Sequence, residues 1–151
     1  MSSKPIVVRS TARVAVPAEV AWSFLSVYAN DVEWRQGVSR MDQTPAGPVV
    51  DGASAVEHLR MFGRDLVNVA LISDVQAGAS FTWQVKNGAD AHGSRRVVPV
   101  GLETCEIIID KAVRLDRADR WLRPIVALVL RRTERADLRR VAHLLEDRAR
   151  Q

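Results

Sequence analysis

The stretch "PAEVAWSFLSVYANDVEW", residues 17–34, decides how this chain is interpreted. Pro17 suits the first position of a helix, and Glu19 favours the positive end of the helix dipole. The apolar residues that follow recur at helical spacing: Val20, Ala21, Phe24 and Leu25. The pattern predicts a helix over about 17–27. Trp34 is the unexpected residue, because it follows a polar segment in which no core position is expected.

The segments on either side of this helix are short. "YANDVEW" predicts a second short helix or turn that is capped by Asn30 or Asp31 and ends near Trp34. Before the helix, "IVVRSTARVAV" alternates after Val8, with Arg9, Thr11 and Arg13 on one side. This alternation is typical of a half-buried strand. The chain therefore begins with a strand followed by two short helices.

The middle of the chain, from Gly37 to Leu115, consists of short alternating runs separated by turns that contain glycine. The runs are "SRMDQTPAGPVVDG", "ASAVEHLR", "RDLVNVALISDV", "SFTWQVKN", "GSRRVVPVG" and "TCEIIIDKAVRL". They predict a meander of about six strands. Because parallel neighbours would need long crossover connections, the short links predict an antiparallel sheet.

Helical periodicity returns after "LDRADR". One apolar stripe, continued beyond an arginine-rich turn, is predicted from Leu122, Ile125, Val126, Val129, Leu138, Val141, Ala142 and Leu145. Pro124 is compatible with the first turn of a helix, so the helix is expected to start near 118–123. A long helix with one apolar face needs a concave sheet on which to lie.

Length and composition favour a single globular domain over residues 1–151. The chain has 151 residues, 47% hydrophobic and 26% charged, which suits one core better than two. A single cysteine, Cys105, excludes an internal disulfide framework and fits a reducing compartment. No signal peptide or membrane-spanning run is visible, so we expect a cytoplasmic protein.

The formal net charge of +4 is concentrated at the end of the chain. Residues 111–151 contain 12 Lys and Arg against 6 Asp and Glu. We interpret this excess first as the solvated face of an amphipathic helix, and as an alternative as an interaction surface for nucleic acid, acidic lipid or an acidic partner. Glu134 and Asp137 interleave with the arginines and no aromatic residue lies among them, which argues against nucleic acid.

A strand, two short helices, six strands and one long helix is the order of the helix-grip fold. The segments that carry a family resemblance are "VPAEVAWSFLSVYANDVEW", "VQAGASFTWQV" and "RPIVALVLRRTERADLRRVAHLLE". In these the chain resembles polyketide cyclase/dehydrase-like proteins of the SRPBCC (START/Bet v 1-like) superfamily. The resemblance implies an α+β fold in which a curved antiparallel sheet of about seven strands wraps around the long C-terminal helix.

The resemblance also implies a deep apolar cavity between the sheet and that helix. Tyr28 and Trp34 would then lie in the cavity or at its rim. The alternative for Trp34 is a structural one, in which it plugs the sheet against the second short helix. Strand parity turns Phe81, Trp83 and Val85 toward one face, and it turns Cys105, Ile107 and Ile109 inward. We therefore interpret Cys105 as a small buried hydrophobe.

Polar residues within the predicted strands are candidates for specificity. Glu57 and His58 must face opposite ways, so only one of them can line a cavity. Asn68 shares its parity with Leu66, Ala70 and Ile72, and it would need a partner such as a neighbouring side chain, water or ligand. Arg95 could neutralise a carboxylate or phenolate. The full ligand-binding prediction is Tyr28, Trp34, Glu57, His58, Asn68, Phe81, Trp83, Arg95, Ile107, Ile125 and Val129.

Three functions stay open at this point. The first is binding of an apolar aromatic, polyketide-like or lipid-like small molecule. The second is a polyketide cyclase/dehydratase, for which no catalytic residues can be assigned from the sequence. The third is an interaction module using the basic C-terminal helix. His58, His92 and His143 are isolated and no glycine-rich phosphate loop is present, so neither a metal nor a cofactor is predicted. Monomer and homodimer are both compatible with the sequence.

Overall fold

A computed structural model describes residues 4–151 and shows seven strands and two α-helices. The strands are β1 (Ile6–Val14), β2 (Val38–Thr44), β3 (Ser54–Met61), β4 (Arg64–Gln76), β5 (Ser80–Asn87), β6 (Asp90–Gly101) and β7 (Thr104–Arg114). The helices are α1 (Ala18–Leu25) and α2 (Arg123–Ala149), each with a neighbouring 3₁₀ helix, Tyr28–Glu33 after α1 and Arg117–Leu122 before α2.

The seven strands form one sheet in the order β1-β7-β6-β5-β4-β3-β2, and every neighbouring pair is antiparallel. Strands β2 to β7 are the meander that the sequence predicts. β1 is the edge strand next to β7, with Ile6 opposite Val113 and Val14 opposite Cys105. The sheet curls around α2, so the predicted α+β helix-grip architecture is confirmed.

The two helical segments between β1 and β2 differ from their predictions in length and in capping. α1 spans Ala18–Leu25, so it is shorter than the predicted 17–27, and Pro17 is its N-cap instead of its first helical residue. The 3₁₀ helix that follows ends beside Trp34, as expected. Capping of that helix by Asn30 or Asp31 is wrong, because its N-cap is Val27 and no side chain caps it. The Asn30 amide instead donates to the carbonyl oxygen of Phe24, and Asp31 is fully buried.

The start of α2 is predicted correctly, but its buried face is displaced by one position. Pro124 lies in the first turn, as expected. Ile125 is 60% exposed, whereas Val126 and Leu130 are buried against Ile6 and Val8 of β1. The reason is that residues 125–130 are all apolar, and a continuous apolar run does not indicate which side of a helix is buried.

The C-terminal half of α2 packs into a closed core. Leu138, Val141 and Leu145 contact residues of α1, β6 and β7. Cys105 lies in this cluster with no exposed surface, and burial raises the pKa of its thiol, as suits a small buried hydrophobe. Within residues 4–151, neither helix is both long and apolar enough to cross a membrane.

Candidate functional site

A cavity of about 350 Å³ lies between the sheet and the N-terminal half of α2. Its apolar wall comes from strands β3, β4, β5 and β7 and from one side of α2. The wall residues are Leu59, Met61, Leu66, Ala70, Trp83, Val85, Ile109, Val113, Val126 and Leu130. Within each strand the positions in this list differ by two or four, which is the parity of an inward face. The curl of the sheet therefore creates a cavity where its inner face separates from α2.

Charged side chains cluster at one end of this cavity. Arg95 of β6, which lines the cavity, is 4% exposed and reaches across to the 3₁₀ segment. Its Nη1 donates to Asp31 Oδ1 at 2.9 Å and to the carbonyl oxygen of Leu25 at 3.1 Å, and its Nη2 donates to Asp31 Oδ2. Burial lowers the pKa of Arg95, but the Asp31 carboxylate more than offsets this and raises it. Arg95 is thus permanently charged and already paired.

Arg35 extends the ion pair toward the cavity. Its Nη1 donates to Asp31 Oδ2 at 3.1 Å, and its Nη2 donates to Glu57 Oε1 at 3.1 Å. Arg35 and Glu57 both line the cavity, with side chains 13% exposed. Burial lowers the pKa of Arg35, whereas Glu57 and Asp31 raise it above its usual value. The chain Arg95–Asp31–Arg35–Glu57 therefore links β6, the 3₁₀ segment and β3.

A second ion pair joins the sheet to α2. Lys111 of β7 donates from Nζ to Glu134 Oε1 at 2.7 Å, and both side chains line the cavity. Burial raises the pKa of Glu134, but the charge and hydrogen bond of Lys111 outweigh it, so the pKa lies below its ordinary value. The pair fixes α2 against the sheet beside the cavity.

Arg95 is also surrounded by aromatic rings. Its guanidinium carbon lies 4.5 Å from the ring centroid of Tyr28, 5.1 Å from that of Trp34 and 5.7 Å from that of Phe81. These distances suit cation–π contacts, which strengthen in a desolvated site. Trp34 is 3% exposed and its carbonyl oxygen accepts a hydrogen bond from Arg140 of α2. The unexpected tryptophan thus packs against a buried arginine and borders the cavity at the same time.

Tyr28 donates from its backbone N–H to Gln43 Oε1 at 2.8 Å, whereas its hydroxyl forms no hydrogen bond with residues 4–151. Tyr28 lines the cavity, and burial raises the pKa of its phenol above the usual range. A phenol in this state stays protonated and can donate one hydrogen bond. The cavity therefore contains an unused neutral donor beside the charged cluster.

Asn68 supplies a second polar group. It is 6% exposed and its Oδ1 accepts a hydrogen bond from the backbone N–H of Ala89 at 3.0 Å. The Nδ2 donates to no residue in the described part of the chain. Gly88 permits this contact, because its φ is +125° and a Cβ there would lie 2.4 Å from Asn68 Oδ1. Asn68 is thus positioned by one hydrogen bond and keeps its donor for the cavity.

The structure brings six of the predicted binding residues to the cavity: Tyr28, Trp34, Glu57, Asn68, Trp83 and Arg95. The other five do not line it. His58 points to the opposite face of β3 from Glu57, and Ile125 and Val129 are displaced by the phase of α2. Phe81 and Ile107 share the inward parity but have no exposed surface, because each is enclosed in a packed apolar cluster, Ile107 in the closed core and Phe81 in a separate cluster with Tyr28.

Sequence reasoning missed four charged residues of this site: Asp31, Arg35, Lys111 and Glu134. A signal existed for Lys111, because it shares the inward parity of Ile107 and Ile109. A weaker one existed for the pair Asp31 and Arg35, which are four residues apart. Arg95 was predicted, but its charge is neutralised by Asp31 within the protein. Among residues 4–151, no group of three or more His, Cys, Asp or Glu side chains is arranged to hold a metal ion.

The family described as "Polyketide cyclase / dehydrase and lipid transport" matches residues 5–149. The chain belongs to this family. The family's description covers both an enzymatic and a transport role, and the cavity between the sheet and α2 suits a small hydrophobic ligand in either. No curated protein matches the chain in sequence.

Solved structures with the same fold are distant in sequence. An aromatase/cyclase from a Streptomyces species aligns over 97% of this chain and 96% of its own, with a TM-score of 0.81 and 16% identity. A START superfamily protein from Mycobacterium smegmatis gives 0.68 at 15% identity, covering 94% and 95%. A norcoclaurine synthase from Thalictrum flavum gives 0.67 at 14% identity, covering 99% of each chain. At these identities the similarity establishes the fold alone.

Proposed function

We propose that this family member binds one apolar, oxygen-bearing small molecule in the cavity between the sheet and α2. The observation that carries the proposal is the combination of an apolar wall with two polar groups, the Tyr28 hydroxyl and Asn68 Nδ2, that form no hydrogen bond with residues 4–151. Burial of ligand surface would supply the driving force, roughly 25 cal/mol per Å² before the costs of ordering. The two donors would orient the ligand.

Charge balance favours a ligand without a formal charge. The three largely buried cations that line the cavity, Arg35, Arg95 and Lys111, are matched by the carboxylates of Asp31, Glu57 and Glu134. A ligand carboxylate would add an unmatched buried charge, which is costly. A ketone, phenol or alcohol oxygen would accept hydrogen bonds from the Tyr28 hydroxyl and Asn68 Nδ2 without burying an unmatched charge.

The volume of the cavity limits the size of the ligand that can bind. A volume of 350 Å³ lies near the lower end of the range for small-molecule sites, roughly 300–1,000 Å³. A compound of a few fused rings or one short acyl chain fits this space, whereas a diacyl lipid does not. The volume therefore favours an aromatic, polyketide-like or single-chain ligand over a diacyl lipid.

The first experiment is to purify the protein under native conditions and identify, by mass spectrometry, the small molecules released on denaturation. We expect one apolar compound in stoichiometric amount. Its affinity should fall about tenfold in Trp83→Ala, since truncating an aromatic contact costs on the order of 1–2 kcal/mol. Gln84→Ala, on the opposite face of β5, is the matched control. Equal affinity of both variants and wild type would exclude this cavity as the binding site.

A second candidate function is cyclisation or dehydration of a poly-β-keto chain. The observation that favours it is the presence of a neutral phenol donor, Tyr28, and a carboxylate, Glu57, in one cavity. A cyclase needs a base for the carbon acid and a donor for the developing enolate oxygen. With a poly-β-keto thioester mimic as substrate, Glu57→Gln and Tyr28→Phe should each lower kcat at least 100-fold. His58→Ala, which changes the opposite face of β3, is the control, and turnover unchanged in all three variants would contradict catalysis.

A further inference from the structure

The outer face of α2 exposes three large apolar side chains. Trp121 is 74% exposed, Ile125 is 60% exposed and Leu128 is 49% exposed. Their spacing of four and then three residues places them on one side of the helical segment that begins in the 3₁₀ turn before α2. Single exposed apolar residues are ordinary, but a contiguous row marks an interaction surface.

The same row continues toward the C-terminus as arginines. Arg132, Arg135 and Arg139 follow Leu128 at the same spacing, and Arg131 lies beside them. All four are exposed, and none forms an ion pair with a residue in the described range. Arg131, Arg135 and Arg139 also line an open groove of about 460 Å³ against β1, to which Arg9 contributes. Arg9 is already paired with Asp110.

The acidic residues within this segment face the other way. Glu134 is bound to Lys111, and Asp137 accepts hydrogen bonds from the backbone N–H of Gln36 and from Arg140. Both are buried, so they do not screen the arginines on the outer face. The interleaving of charges in the sequence therefore conceals a helix face on which only positive charge is exposed.

We propose that this face, defined by Trp121, Ile125, Leu128 and the four arginines at 131, 132, 135 and 139, docks on an anionic lipid surface. A helix lying in the bilayer interface needs an apolar row that enters the acyl boundary and cations that meet the lipid phosphates. Tryptophan suits the headgroup level, because its ring is apolar with one polar edge. Both the apolar row, which includes a tryptophan, and the cations lie on one side of the helical segment formed by the 3₁₀ turn and α2.

Charge and apolar surface together favour lipid over other partners. Nucleic acid would use the arginines but leave Ile125 and Leu128 without a role, because base and phosphate contacts are mainly polar. A second copy of this chain, which carries a net charge of +4, would oppose arginine to arginine in a two-fold interface. An anionic bilayer satisfies both parts of the face.

The proposed docking face lies on the outside of the same helical turns that close the cavity. Val126 and Leu130 line the cavity from the inner side of α2, and Asp116 and Asp119 border it from the preceding segment. Docking would therefore place the cavity next to the bilayer. The docking proposal stands independently of whether the cavity holds a ligand.

Vesicle flotation with the full chain tests the proposal. We expect the protein to float with vesicles of phosphatidylcholine mixed with phosphatidylglycerol and to stay behind with phosphatidylcholine alone. Replacing Arg131, Arg135 and Arg139 together by Gln should weaken binding about 100-fold, since each cation near the surface contributes about a fivefold factor. Trp121→Ala should weaken it about tenfold.

Two matched controls separate docking from general attraction. Replacing Arg13, Arg64 and Arg96 by Gln removes the same charge from exposed strand positions that form no ion pair within residues 4–151. Leu102→Ala removes an apolar side chain that is 93% exposed in the turn before β7. Both control proteins should float like wild type. Equal weakening by the two arginine sets would overturn the proposal, as would binding of duplex DNA or RNA with no flotation on either vesicle type.

Discussion

The two halves of α2 cover the same sheet but create different interiors. Around Leu138, Val141 and Leu145 the helix meets α1, β6 and β7 in a closed apolar core. Around Val126 and Leu130 it stands over a cavity of about 350 Å³. One amphipathic helix on one curved sheet thus gives a stabilising core at one end and a binding space at the other.

The boundary between the two halves is made of buried charges. Asp31, Arg95 and Glu134 are each less than a tenth exposed, and they lie where the closed core ends and the cavity begins. Apolar side chains there would collapse into the free volume, whereas paired charges with fixed hydrogen-bond directions hold the elements apart. The cavity is therefore bounded by ordered ion pairs as well as by apolar side chains.

The largest expected effect comes from breaking the buried pair between Asp31 and Arg95. Arg95→Met leaves the Asp31 carboxylate in a site with no solvent exposure, and Arg35 alone remains to neutralise it. We expect the free energy of unfolding to fall by about 3–5 kcal/mol, measured by urea denaturation.

A double variant tests the cause of that loss. Asp31→Leu combined with Arg95→Met removes both charges, so no carboxylate is stranded, and it should recover a large part of the stability. A loss below about 1 kcal/mol in the single variant would show that the pair does not organise this boundary.

A smaller effect on the free energy of unfolding compares the packing of the two halves of α2 directly. Leu138 and Leu130 are 2% and 3% exposed, so they are equally buried. Leu138→Ala should cost about 3 kcal/mol, because a cavity opens in a packed cluster. Leu130→Ala should cost about half as much, because its side chain already borders free volume and loses fewer contacts. Urea denaturation of both variants measures the difference, and equal losses would mean that the two halves are equally well packed.

The fold and the inner faces of the strands are predictable from the sequence. Alternation in "SFTWQVKN" places Trp83 and Val85 on the side that lines the cavity, and the parity of Asn68 with Leu66 and Ala70 gives a second lining strand. These two predictions are correct because the side chains of a half-buried strand alternate between its faces with a fixed period of two. The same rule would have assigned Lys111 to the inner face had it been applied to charged residues.

The phase of α2 and the partner of Asp31 are not predictable in this way. Residues 125–130 are uniformly apolar, so only contact with Ile6 and Val8 of β1 decides which side is buried. Asp31 is separated from Arg95 by 64 positions along the chain, and no local pattern links them. Both features depend on tertiary contacts, which a single sequence does not encode in its periodicity.

The smallest effect concerns the ion pair that joins the cavity side of α2 to the sheet. Burial opposes ionisation of Glu134, but Lys111 prevails and holds its pKa below the ordinary value of 4.5. A carboxyl group whose pKa is lowered on folding stabilises the protein above its unfolded-state pKa, and this contribution is lost as the pH falls through the folded-state pKa. The stability of wild type should therefore decline as the pH drops below about 4.5.

Glu134→Gln isolates this contribution, because the amide keeps the shape of the side chain without titrating. At neutral pH the variant should be less stable than wild type, since Lys111 keeps its charge in a largely buried position without a counterion. As the pH falls through the titration of Glu134, the difference between the two proteins should shrink, and thermal unfolding at a series of pH values measures it. A gap that stays constant across this range would show that the pair fixes α2 by geometry alone, whereas a closing gap shows that the charge itself holds the cavity half of the helix against the sheet.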